Sequence, residues 1–251
     1  MITESHIQHY QDEGYFLAER VIPQKTVESL RTECGRFMNE MDREFEAEGV
    51  EQKGLSRKGN RYFVSQWYKK MKSTILRDFL FSDLMREICE ATIGDTAYLF
   101  HEQFVVKGPD QGMKFSWHQD SGYVSTPHTP YVTIWCTLDD VTIENGTVYI
   151  LPYSKAGTRE LVKHSEDPET HDKIGYKGEE AGIPVLLPAG SVAAFSSLVF
   201  HRSGANTSPN MRRVYLPQFS PEPILKSDGT PWGWADPFIV NGERQPLPEL
   251  G

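Results

Sequence analysis

In the stretch Trp117-His118-Gln119-Asp120, an imidazole and a carboxylate stand two residues apart. On extended backbone successive side chains alternate faces, so His118 and Asp120 point the same way and can offer two adjacent ligands to one metal ion. A third donor of suitable type is His201, which follows an apolar run, Val192-Ala193-Ala194-Phe195 through Leu198-Val199-Phe200, that reads as buried strand. Two imidazoles and one carboxylate make up the facial ligand set of non-haem Fe(II) sites, which leaves positions open for a co-substrate and oxygen. The His-X-Asp spacing alone is common, and a core histidine hydrogen-bonded to an aspartate would show the same letters.

Arg212 and Arg213 open the last predicted strand. A guanidinium on the inner face of such a strand is costly to bury unless it meets an anion, and its planar fork suits a carboxylate. Neighbours on a strand face opposite sides, so one of the two arginines points inward. The spacing from His201 favours Arg212, with Arg213 facing solvent, and a dicarboxylate co-substrate would supply the anion. Ser203, two residues after His201, shares its face and can donate a hydrogen bond to the same carboxylate.

The elements that must position these residues change character along the chain. Val27, Leu30, Cys34, Phe37, Met38, Met41 and Phe45 recur at spacings of three and four, which predicts a helix from Gln24 to about Gly49. Residues 49–60 are polar and read as a surface loop. A second helical region begins near Ser73, and a third has Ser82 as N-cap and Gly94 as terminator. From Thr96 onward the runs are short, aromatic and β-branched, and are separated by Gly, Pro, Asp or Asn. The expected fold is mainly β, a double-stranded β-helix (jelly roll) flanked by N-terminal helices, which can unite strands distant in sequence. At 251 residues one domain is expected: residues 1–95 as a mostly helical layer, 96–220 as the jelly-roll core and 221–251 as an irregular tail.

Composition narrows the partners. A formal net charge of -9 provides no polybasic face for nucleic acid or anionic lipid. There is no signal-peptide layout at the start, and no run approaches the roughly 18 apolar residues of a membrane span. Cys34, Cys89 and Cys136 are scattered within apolar segments and read as buried thiols. A cytoplasmic protein acting on a small molecule is the expectation; its oligomeric state is open.

As a set, several motifs resemble the phytanoyl-CoA dioxygenase family of Fe(II)- and 2-oxoglutarate-dependent oxygenases. They are Gly14-Tyr15-Phe16 with Ile22-Pro23, Trp117 to Asp120, Trp135 to Asp140 with Glu144-Asn145-Gly146, Leu187 to Ser191, and His201 to Asn206 with Arg212. The resemblance implies that His118, Asp120 and His201 bind iron, that Arg212 and Ser203 receive the distal carboxylate of 2-oxoglutarate, and that Gln103 and Trp135 are further co-substrate contacts. It implies consumption of O2 and 2-oxoglutarate, release of succinate and CO2, and oxidation, most simply hydroxylation, of an unactivated C–H bond. The presence of Asp120 argues against halogenation, which such enzymes perform with a small residue in that place. Tyr153 and Lys155 depart from the Gly and His of many members.

Arg61 and Tyr123 are the expected substrate contacts, on segments that could shape a pocket mouth together with residues 164–182. His6, His9, His101, His128, His164 and His171 are expected not to be metal ligands, and Trp232 and Trp234 read as packing anchors. Two rival readings stand beside the oxygenase: a cupin-like metal-dependent isomerase or binding protein without 2-oxoglutarate, and a structural jelly roll. An inward Arg212 separates the first rival from the oxygenase.

Overall fold

The periodic segment after Pro23 folds as a long helix whose buried face, Val27, Leu30, Cys34, Phe37, Met41 and Phe45, is the one its spacing predicts. In the computed structural model, which describes residues 2–109, 113–167 and 172–251, this is α2 (Gln24–Glu48), preceded by α1 (Glu4–Glu13). Gly49 ends α2 in the left-handed region at φ +66°, which only glycine adopts without strain. The Ser73 and Ser82 hydroxyls accept the Leu76 and Met85 N–H groups and so cap α3 (Thr74–Leu80) and α4 (Asp83–Thr92). A single turn, α5 (Tyr153–Ala156), follows in the β region.

The strands are, in order, β1 (Tyr15–Ala18), β2 (Gln52–Lys53), β3 (Ser56–Arg57), β4 (Arg61–Ser65), β5 (Ala97–Lys107), β6 (Phe115–His118), β7 (Val132–Thr137), β8 (Val148–Leu151), β9 (Ser165–Glu166), β10 (Lys173–Ile174), β11 (Ile183–Pro184), β12 (Val192–Ser196), β13 (Phe200–Ser203), β14 (Arg212–Ser220), β15 (Asp236–Val240) and β16 (Glu243–Arg244). The major antiparallel sheet runs β1-β12-β7-β14-β5-β4-β3-β2, with β15 and β16 attached at β5; the minor sheet runs β11-β8-β13-β6. This is the expected jelly roll. Alternation along β5 divides its work: Phe104 and Val106 join the helix-facing core with Phe37 and Tyr215, while Val105 meets Trp135, Ile150, Phe195 and Val214 between the sheets. Each fully buried Leu, Val or Phe contributes roughly 1.5–3 kcal/mol, so both layers are held chiefly by apolar burial.

Three details differ from the sequence expectations. The run from Val192 to Phe200 is not one strand; it bends at residues 197–199, so that β12 belongs to the major sheet and β13 to the minor one. Residues 49–60 form the β2–β3 hairpin instead of a plain loop, and the N-terminal region supplies β1 to β4 as well as helices. The C-terminal stretch is not wholly irregular, because Phe238 and Ile239 bury in the helix-facing core and carry β15 onto β5.

On the helix-facing side of β5 the Glu102 carboxyl is fully buried, accepting the Tyr68 N–H at 3.0 Å and the Tyr215 hydroxyl at 2.9 Å. Burial pushes its pKa up to about 7 from an ordinary 4.5. The folded state therefore holds this proton more tightly than the unfolded chain, and the associated stability is complete below pH 4.5 and lost as pH rises towards 7. Between pH 5 and 8, wild type is expected to lose on the order of 2–3 kcal/mol relative to Glu102→Gln. Parallel melting curves for the two proteins across that range would contradict this.

Candidate active site

β6 ends at His118, Gln119 remains extended (φ -110°, ψ 137°), and Asp120 begins a short 3-10 turn, Asp120–Tyr123. The two-residue alternation thus survives one residue past the strand. β13 lies antiparallel beside β6 with His201 directly across from His118, their ring centroids 4.2 Å apart. Asp120 Oδ1 is 3.8 Å from His118 Nε2 and 3.5 Å from His201 Nε2, and one ligand atom from each of the three residues lies within 4.8 Å of the others.

The surroundings fix the protonation that metal binding requires. His118 Nδ1 is 2.8 Å from the Ser116 carbonyl, and His201 Nδ1 is 3.1 Å from that of Val199. A carbonyl can only accept, so each Nδ1 carries the proton and each Nε2 lone pair faces the gap. Burial, reinforced by His201, pushes the pKa of His118 down to about 3, which keeps it neutral. Burial works to raise the Asp120 pKa, but His201, His118 and Thr133 outweigh it and hold the carboxyl below its usual range. Asp120 Oδ2 accepts the Thr133 hydroxyl at 2.5 Å and Gln218 Nε2 at 3.1 Å, leaving Oδ1 for the metal.

Gln119 anchors the pair from behind. Its Nε2 donates to Glu160 O and Leu198 O at 2.8 and 2.7 Å, its Oε1 accepts the Val162 N–H, and its own N–H donates to His164 Nε2. His164 is therefore a brace, and its ring fills the space that a side chain at Gly122 would occupy, 2.7 Å from a Cβ there.

The second charged group is a row across three strands: Arg61 on β4 pairs with Lys107 on β5, which pairs with Arg212 on β14. Arg212 is 2% exposed; its Nη2 donates to Gly146 O at 3.2 Å, while Nε and Nη1 have no partner among the described residues. Arg213 points the other way, donating to both oxygens of Asp139 at 2.7–2.9 Å. Lys107 Nζ donates to Ser203 Oγ at 2.8 Å and to Gly204 O. Burial, then Arg212 and Arg61, lower the Lys107 pKa well below its ordinary value. Lys107 is a site residue absent from the sequence expectations; its signal is a cation on the inward alternation of β5.

Gly146, at φ +79°, packs so closely that a Cβ would lie 2.7 Å from Gly204 O and 2.9 Å from Ala205 O. Gly146→Ala is expected to cost about 2 kcal/mol, or roughly 4–8 °C in melting temperature. An unchanged melting temperature would mean that this turn relaxes without strain.

One cavity of about 400 Å³ joins the metal-ligand group to Arg212, Lys107 and Ser203. Gln103 and Trp135 line it; Gln103 Oε1 accepts the Ser65 hydroxyl at 3.0 Å, and Trp135 lies 5.6 Å below the Arg212 guanidinium. Tyr123 lines it too, set edge-on to His118 at 5.5 Å. Arg61 is not among the lining residues; it is buried behind Phe63 and Phe115, its Nε donating to Leu55 O at 2.7 Å. Of the other histidines, His101 lines the cavity and His128 bonds Ser121 Oγ at 3.0 Å, whereas His171 lies outside the described residues. Trp234 packs on Tyr68, but Trp232, expected only as an anchor, also lines the cavity.

The profile of the family described as phytanoyl-CoA dioxygenase matches residues 10–214. The chain belongs to the phytanoyl-CoA dioxygenase family. Phytanoyl-CoA dioxygenase domain-containing protein 1 of Danio rerio is 23% identical to it over 296 aligned residues, covering 100% of this chain and 99% of that protein. Two solved structures share the fold. EctD from S. alaskensis, with 2-oxoglutarate and 5-hydroxyectoine, superposes with a TM-score of 0.71 at 18% identity, covering 98% of this chain and 89% of that one. EvdO2 from Micromonospora carbonacea var. aurantiaca, complexed with 2-oxoglutarate, gives 0.69 at 20%, covering 94% and 98%. This phytanoyl-CoA dioxygenase family member is an oxidoreductase of the 2-oxoglutarate-dependent dioxygenase class, and its His118-Asp120-His201 group fits iron. No helix among the described residues is long and apolar enough to cross a membrane.

Proposed function

We propose that the protein hydroxylates an unactivated C–H bond of a small molecule in the cytoplasm, with iron held by His118, Asp120 and His201 and 2-oxoglutarate held by Arg212, Ser203 and Lys107. The observation that carries this reading is the pairing, in one cavity, of a three-ligand metal group with a buried guanidinium that has two unpartnered nitrogens. An unpaired buried cation is costly, so it is an outlay that a carboxylate ligand offsets. When bound, iron with 2-oxoglutarate and O2 supplies oxidative decarboxylation to succinate and CO2 and the oxidising power for the C–H bond.

The chain's own residues do the positioning. Arg212 turns an unpartnered guanidinium nitrogen to the distal carboxylate, Ser203 keeps its hydroxyl proton for the same group while accepting from Lys107, and Gln103 and Trp135 bound the co-substrate laterally. Thr133 and Gln218 hold the Asp120 carboxylate so that one oxygen faces the metal. Tyr123 shields His118 on the open side of the cavity and is a substrate contact, whereas Arg61 acts from behind through Phe63 and Phe115.

The test is product analysis. A substrate found by succinate release should yield one succinate per product, and the product should be heavier by one oxygen atom drawn from labelled O2. A product lighter by two hydrogens would replace hydroxylation by desaturation. Substrate conversion without succinate would favour the cupin-like isomerase.

A further inference from the structure

The cavity has a second polar end. Along β5, Lys107 stands opposite Arg212 and His101 opposite Gln218, so His101 sits at the far end of the wall from the three-cation row. There Gln66 Nε2 lies 3.2 Å from His101 Nδ1. An amide NH2 only donates, so Nδ1 is the acceptor and the imidazole proton is on Nε2. That leaves His101 Nε2–H as a donor and Gln66 Oε1 as an acceptor on side chains that line the cavity. The neighbouring Gln103 Oε1 accepts the Ser65 hydroxyl at 3.0 Å and, with its second lone pair, is also the partner of the His101 ring in the absence of a ligand. Burial pushes the His101 pKa down to about 4, so this donor and acceptor pattern persists at neutral pH.

The arrangement is built at a cost. Gln66 has φ +60°, a left-handed conformation that strains a glutamine, and its N–H is held by Glu102 O at 2.8 Å. The segment Trp232-Gly233-Trp234 lies directly on it. Trp234 donates its N–H to Phe100 O at 2.8 Å, and a Cβ at Gly233 would strike that same oxygen and come 2.7 Å from Gln66 Nε2. Trp232, fixed by its Nε1–H on Thr126 Oγ1 at 2.9 Å, shares this part of the lining with Phe100 and Tyr131.

Charge is sparse here. Among the described lining residues, Asp120 is the carboxylate, and it faces the metal ligands; Lys107 and Arg212 stand at the opposite end. Arg202 is stacked on Tyr149 at 4.0 Å with its Nη2 on Ala181 O. From this we infer that His101 and Gln66 form the substrate-recognition pair, taking the hydroxyl group of an uncharged ring compound whose ring lies against the packed face of Phe100, Tyr131 and Trp232. A hydroxyl accepts from Nε2–H in place of Gln103 and donates to Oε1 at once. A carboxylate would meet Gln66 Oε1 and Asp120 with no cation, and an ammonium would meet an N–H donor. The inference rests on the oxygenase reading of the site.

The test uses protein loaded with Fe(II) and 2-oxoglutarate under anaerobic conditions, with tryptophan quenching as readout. The probes are 2-naphthol, 2-naphthoate, 2-naphthylmethylammonium and 2-methylnaphthalene. 2-Naphthol should bind at least about tenfold more tightly than either charged analogue, and lose about tenfold in Gln66→Leu and in His101→Phe. Binding of 2-methylnaphthalene and of 2-oxoglutarate should be unchanged in Gln66→Leu, which separates lost recognition from lost packing. Tighter binding of a charged analogue, equal binding of 2-naphthol by wild type and both variants, or binding of none of the probes overturns the inference. Failure of wild type to bind 2-oxoglutarate at all would instead overturn the oxygenase reading beneath it.

Discussion

His118→Ala protein folds but turns over no 2-oxoglutarate. Succinate formation is expected to fall by more than the roughly 10–100-fold that loss of an outer-sphere partner costs, because a direct ligand is removed. The geometry gives the reason: His118 and His201 face each other across β6 and β13, and without one imidazole two donors remain for a divalent ion. The fold itself does not depend on that ring. Its hydrogen bond is to a neighbouring carbonyl, and its ring contacts with His201, Phe115 and Tyr123 lie at the cavity, away from the apolar core between β5 and α2. Equilibrium iron binding and melting temperature, measured together, check this. A large stability loss with iron binding intact would support the structural jelly roll instead.

Arg212→Met is the second large effect, and it has two opposite signs. Removing one partner of a buried, hydrogen-bonded charge pair typically costs 2–5 kcal/mol, so half-saturation by 2-oxoglutarate should rise by about a hundredfold. The unliganded protein should become more stable, by about 1–3 kcal/mol, because Nε and Nη1 are buried without partners and methionine has no such groups. Lys107→Met should raise the 2-oxoglutarate requirement less, by about tenfold, since Lys107 acts partly by holding Ser203. Calorimetric titration and melting curves read the two signs separately. Unchanged co-substrate affinity in Arg212→Met would remove the guanidinium from the site.

Much of this site is visible in the sequence because it rests on local periodicity. The His118 and Asp120 pair, the inward Arg212 against the outward Arg213, and Ser203 beside His201 all follow from two-residue alternation, and each side chain stands where that alternation puts it. What local pattern cannot convey is how distant segments meet. The bend at residues 197–199 interrupts an apolar run without a proline or glycine. Lys107 gains its meaning from Ser203 and Arg212, far along the chain, and Trp232 from the tail that folds over Gln66 and Phe100. Arg61 shows the same limit: it is brought to the three-cation row but sits behind two phenylalanine rings, and only the packing reveals that.

Anaerobic titration of the apo protein with Fe(II) and then 2-oxoglutarate decides the claim that one cavity binds iron and 2-oxoglutarate together. A weak visible charge-transfer band that saturates with 2-oxoglutarate in wild type, and needs far more of it in Arg212→Ala, is the expected result. Iron binding with no band at saturating 2-oxoglutarate would contradict the claim and turn the site into that of a cupin-like metal protein.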